Sequence, residues 1–173
     1  AVSNSNGMLQ FPRVTPVEFL LTICEELGVV IADTDRESVK QMVDALNRRL
    51  LNAHAEGRRI IVLGDEAQNL SIEVLEQVRL LTNLETPTQK LLQIILIGQP
   101  ELRDILSDPR LEQLAQRVIA HFHLGPLTVK ETAHYIIHRL SVAGLSSSPP
   151  FSRRAVQQIY ERTNGVPRRI NLL

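Results

Sequence analysis

Two short apolar runs, Ile60-Ile61-Val62-Leu63 and the LQIILI of Leu92 to Ile97, constrain this chain more than anything else in it. Each is short and rich in β-branched side chains. Each therefore reads as a strand covered on both faces, the habit of parallel sheets. Between them, Ser71 can cap a helix running to about Leu84, with Val74, Leu75, Val78 and Leu81 on one side. Strand, helix and strand within about 40 residues make a βαβ unit, whose crossover is right-handed by default. Adjacent parallel strands end on the same edge of their sheet, and ligands of α/β proteins bind outside that edge. Polar residues follow both runs: Gly64-Asp65-Glu66 after the first, Gly98-Gln99-Pro100 after the second.

The rest of the chain fits around this unit. A short strand is expected around Met8 to Phe11. Thr15-Pro16-Val17-Glu18 is a capping box with proline at the first helical position, and Phe19, Leu20, Ile23, Cys24 and Leu27 form the apolar stripe of that helix. Thr34-Asp35-Arg36-Glu37 reads as a second capping box, opening a longer helix that carries Met42, Leu46 and Leu50. Two short helices are expected near 101–106 and 111–119, then a weaker strand over 118–124, stopped by Gly125-Pro126. Thr128 to Glu131 is a third capping box. A GLSSSPP loop follows, then helices from Ser152 and from Pro167. Strands precede Pro126 and only helices follow it. The expected architecture is a three-layer α/β core over 1–127 and a helical part over 128–173.

Composition excludes several classes. With 19 Lys+Arg against 19 Asp+Glu, the chain has no overall field for drawing in nucleic acid. One cysteine rules out an internal disulfide and a Cys-based zinc cluster. Aromatics are 3% and Trp is absent, leaving few platforms for stacked bases. No apolar run approaches a membrane span, and no signal-peptide pattern opens the chain, so a soluble cytoplasmic piece is expected.

The feature with most chemistry is the strand that ends in two acids, IIVLGDEAQNL. Two acids at a sheet's carboxyl edge are costly unless they face a cation, a base or water. In phosphoryl-transfer sites the first holds Mg²⁺ and the second orients and deprotonates the attacking water, the Walker B arrangement. A plainer alternative is that Asp65 and Glu66 open a solvent-facing loop and cap the next helix.

GDEAQNLSIEVLEQVRLLTNLET, KLLQIILIGQPELRDIL, LEQLAQRV, FHLGPL and GVPRRINLL, in that order, resemble the AAA+ ATPases of bacterial secretion and pilus assembly, the general secretion pathway protein A (ExeA-like) family. That resemblance implies a P-loop NTPase-type core followed by the start of a helical lid. It implies ATP and Mg²⁺ as ligands. Asp65 would hold the metal and Glu66 would activate water. Gln99 matches the sensor 1 position, Arg117 an arginine finger acting on a neighbouring subunit, and Arg168 a sensor 2 lid arginine. Partners implied are further copies in a ring or other oligomer and an inner-membrane secretion or pilus protein, at the cytoplasmic face of the bacterial inner membrane.

This chain departs from the pattern in places. No GxxxxGK[ST] loop occurs in the 173 residues. The chain therefore reads as a piece without its first strand and P-loop, or as a divergent member that lacks them, and this fragment is expected to be weak or inactive. Gly64 stands where the family has a bulky aliphatic, and Phe11 where an asparagine is expected. The alternative functions are a transposition-type ATPase assembling on DNA with a transposase, and a catalytically silent oligomerisation module. Other candidates read as structural. His134 and His138 share a helical face without an evident third metal ligand. His121 and His123 alternate on the expected third strand. Cys24 belongs to a core stripe, and Arg153, Arg154, Arg162, Arg168 and Arg169 make a basic end.

Overall fold

In a computed structural model of the chain, which describes residues 8–10, 14–146 and 150–173, the two apolar runs lie side by side as parallel strands. They are β2 (Ile60–Asp65) and β3 (Leu92–Leu96), in a register that pairs Val62 with Ile94 and Gly64 with Leu96. A short strand, β1 (Met8–Gln10), pairs in parallel with the other side of β2, giving the sheet order β1-β2-β3. Phe11 lies outside the described residues. The α/β class with a parallel sheet stands as the apolar runs implied.

The sheet's two faces differ. Val62 and Leu92 are buried on one, and Ile60, Ile94 and Leu96 pack beside them. On the other, Ile61, Ile95 and Ile97 are 53%, 41% and 46% exposed. Three helices supply the cover for the first face: α1 (Pro16–Glu26), α2 (Val39–Ala55) and α3 (Ile72–Leu81). Phe19, Ile23, Met42, Leu46, Val74 and Leu75 meet in one cluster. Burying each such side chain contributes about 1.5–3 kcal/mol. The described residues thus build the sheet and one helical layer of the expected three.

Cys24 is fully buried in this cluster, and burial, helped by the Glu25 charge, pushes its thiol up to about 11. That leaves no thiolate at neutral pH. The α1 capping box is present in full, Thr15 accepting from the Glu18 amide and Glu18 accepting from the Thr15 amide. The second expected box is not one. Asp33–Asp35 form a single 3-10 turn, the Thr34 hydroxyl turns to Asp35, and Ser38 caps α2 instead through the Gln41 amide.

After β3 come α4 (Glu101–Leu106), a 3-10 turn at Pro109–Leu111 and α5 (Glu112–Ala115). The third strand expected over 118–124 does not form. The stretch is irregular, with Ile119, Phe122 and Leu124 more than 90% exposed. A strand needs a neighbour for its amides and carbonyls, and no described strand pairs with this one.

The chain divides into two compact units, residues 1–120 and 121–173. The sequence placed the division at 127. The second unit consists of α6 (Val129–Val142), α7 (Arg153–Thr163) and α8 (Pro167–Ile170). Thr128 and Glu131 form the capping box of α6. Leu172 and Leu173 are 81% and 69% exposed.

A close backbone approach holds this second unit. Gly165, with φ +70, accepts from the Leu127 amide at 2.9 Å, and a Cβ built on it would stand 2.0 Å from the Leu127 carbonyl oxygen. Gly165→Ala is expected to cost more than the roughly 1–2 kcal/mol of left-handed backbone alone, because the methyl also strikes Leu127. Hydrogen exchange should show protection lost in α7 and α8 and kept in α3. Acid should act through the caps. The Glu18 and Glu131 carboxyls sit below their ordinary 4.5, each held first by the amide and then by the hydroxyl of its capping threonine. A lowered carboxyl contributes stability in full above its unfolded value and loses it as pH falls through the folded one. Helicity followed by circular dichroism should therefore decline below about pH 4.5 less steeply in Glu131→Gln than in the wild type.

Candidate functional site

The site candidate lies where β2 and β3 end. Their pairing continues past the strands: the Ile97 amide donates to the Gly64 carbonyl at 2.7 Å, and the Ala67 amide donates to the Ile97 carbonyl at 2.9 Å. These two bonds hold the turn after β2 against the turn after β3. Asp65 and Glu66 fall between the two anchored positions.

Asp65 closes β2, half-buried, and its Oδ1 accepts from the Glu66 amide at 2.9 Å. Glu66 is exposed and adopts φ 52, ψ 36, the left-handed region. This conformation is unusual for a residue with a side chain and costs of order 1 kcal/mol. It starts the 3-10 turn Ala67–Asn69, whose Ala67 side is fully buried. From the other turn, Gln99 Nε2 lies 3.5 Å from Glu66 Oε2, at the outer limit of a hydrogen bond. Asp65, Glu66 and Gln99 are therefore brought to one edge of the sheet.

Gln68 joins them, unmarked by the sequence reading. Its Nε2 donates to Glu66 Oε2 at 2.5 Å, and its Oε1 accepts from the Gln99 amide at 3.1 Å. Gly98 leaves room for it, since a Cβ there would meet Gln68 Oε1 at 2.8 Å. The only sequence signal was a second polar side chain in the turn, DEAQ, and a glycine before Gln99.

Arg117 does not join this group. Its Nη1 donates to Thr82 Oγ1 at 3.3 Å. Thr82 caps the end of α3, the helix that leaves the carboxyl end of β2 and returns to the amino end of β3. Arg117 therefore sits toward the opposite edge of the sheet. There it adds to the pull of Lys90, which holds the Glu85 carboxyl below its ordinary value. Glu85 and Lys90 also form an ion pair and a backbone bridge that closes the turn before β3. Arg168 belongs to the second unit, exposed in the first turn of α8.

The remaining candidates stay apart. His134 and His138 are exposed on α6, and His121 and His123 lie in the irregular stretch rather than on a strand. Among the described residues no three His, Cys, Asp or Glu come together. No described helix is long and apolar enough to cross a membrane.

The conformation of Glu66 has a measurable cost. Glu66→Gly is expected to raise the melting temperature of the first unit by a few degrees, since glycine takes the left-handed region without penalty. Glu66→Ala keeps the strain and should not. A melting temperature that falls in Glu66→Gly would show that the backbone there is unstrained.

Compared with known proteins, residues 8–106 match the family model described as an AAA domain. The chain is also 46% identical over 162 residues to the general secretion pathway protein A of Aeromonas hydrophila, a match that covers 94% of this chain and 29% of that relative's length. No solved structure matches the chain. With more than half of its residues inside the family model, and a parallel sheet whose carboxyl edge gathers two acids and a polar side chain, the chain belongs to the AAA domain family.

Proposed function

We propose that the chain is part of an AAA+ ATPase that couples ATP binding and hydrolysis to assembly of a type II secretion or pilus apparatus at the cytoplasmic face of a bacterial inner membrane. The observation that carries this reading is the meeting of Asp65, Glu66 and Gln99 at the carboxyl edge of a parallel sheet. The relative's name supports the secretion assignment.

The donor set fits a hard divalent cation. Asp65 spends one oxygen on the Glu66 amide and is half-buried beside a second carboxylate, which suits Mg²⁺. Asp65 would hold Mg²⁺, which when bound would supply charge neutralisation to the phosphates of ATP. Glu66 takes the proton of the attacking water at its carboxylate, as a general base. The Gln99 amide orients that water or contacts the γ-phosphate. Arg117 acts on a neighbouring subunit's nucleotide, and its place away from Asp65 supports a role outside its own site. Arg168 reads bound nucleotide from a helical lid over residues 128–173. The backbone cradle for the phosphates is not among these residues, because no GxxxxGK[ST] occurs in them.

Steady-state phosphate release is the measurement. In the protein at its natural length, Glu66→Gln should keep nucleotide binding and lose turnover by about 10²-fold or more. Equal rates would remove Glu66 from the mechanism. Arg117→Ala should lower turnover in oligomers only. The 173 residues alone should bind ATP weakly and release little phosphate. Robust turnover by them would overturn the need for a separate phosphate cradle.

A further inference from the structure

We infer that Gln68 is a positioning residue for Glu66, locking the carboxylate in register with the Gln99 turn; the inference rests on the reading of Glu66 as the base. Both ends of the Gln68 amide are used. Nε2 donates to Glu66 Oε2 at 2.5 Å and Oε1 accepts from the Gln99 amide at 3.1 Å. Only one orientation of the amide satisfies both. Flipped, its oxygen would face a carboxylate and its NH₂ would face an N–H donor.

The bridge matters because, among the described residues, nothing else holds the Glu66 side chain as closely. The residue is exposed, and its contact to Gln99 Nε2 is 3.5 Å long. A flexible carboxylate in water samples many rotamers. Gln68 selects one. It occupies Oε2, which leaves Oε1 for the proton of a water. Because the far end of the bridge is the backbone amide of Gln99 itself, a displacement of the sensor turn is carried to Glu66 through one side chain. Gly98 is part of the same device. A methyl there would meet Gln68 Oε1 at 2.8 Å and the Gln68 amide nitrogen at 3.2 Å.

The test compares Gln68→Ala, Gln68→Glu and Gly98→Ala with Glu66→Gln, all in the protein at its natural length, with Mg²⁺ and ATP. Gln68→Ala is expected to lower kcat about tenfold, with KM for ATP and the melting temperature nearly unchanged. Gln68→Glu sets a carboxylate against a carboxylate. Its kcat should fall at least as far as that of Gln68→Ala, with KM for ATP near the wild-type value. Gly98→Ala should reproduce the Gln68→Ala loss in milder form. If Glu66→Gln abolishes turnover while both Gln68 variants keep the wild-type kcat, the positioning role is wrong and the base assignment stands. If kcat falls only together with the melting temperature, or KM for ATP rises as far as kcat falls, Gln68 is structural and the inference is overturned. If Glu66→Gln turns over like the wild type, the base assignment falls and this inference with it.

Discussion

Two backbone hydrogen bonds, from the Ile97 amide to Gly64 and from the Ala67 amide to Ile97, are the constraint on which the candidate site depends. Strand pairing alone would end at Gly64 and Leu96. Carried one residue further, it fixes two loops that are otherwise free to diverge. Backbone groups cannot shift independently in the way surface side chains can, so the separation of the two turns is set by ladder geometry. Asp65, Glu66, Gln68 and Gln99 inherit that separation. The strain at Glu66 belongs to the same arrangement, since the chain must leave β2 and return to the Ile97 carbonyl within two residues. The anchored amide of Ala67 over-determines the conformation between.

The helical unit is held by different means. Its last described helix, α8, is only four residues long. Local closures do much of the ordering. Thr128 and Glu131 cap α6, and the Tyr135 hydroxyl donates to Asn171 at 3.0 Å. Asn164 and Gly165, both left-handed, turn the chain from α7 toward α8. Backbone packed this closely tolerates one residue type at Gly165. The GVPRR segment that bears Arg168 therefore depends on a glycine three positions earlier.

Much of this was legible in the sequence, for a physical reason. Buried parallel strands are written as continuous apolar runs, so β2 and β3 and their shared edge could be read directly, and with them Asp65, Glu66 and Gln99. Capping boxes with a single competent threonine, at Thr15 and Thr128, were also legible. The second box failed because Thr34 and Ser38 both offer hydroxyls, and the choice depends on the 3-10 turn before α2. The alternation over 118–124 marked a strand, but alternation records a capacity to pair and not the presence of a partner. The roles of Gln68 and Gly98 depend on a left-handed residue and a side-chain bridge between segments 31 positions apart. No local pattern encodes such a bridge. The separation of Arg117 from the acids likewise follows from the direction of α3.

The burial of Cys24 has a practical side. The chain holds one thiol, and it lies in the core of the first unit. A thiol reagent therefore reacts only when that core opens, and the rate of its modification counts the openings. Where closing outpaces reaction, the rate gives the free energy of opening for the sheet and its helices alone. A single cysteine thus serves as a clock for the first unit, set by the fold and requiring no engineered label.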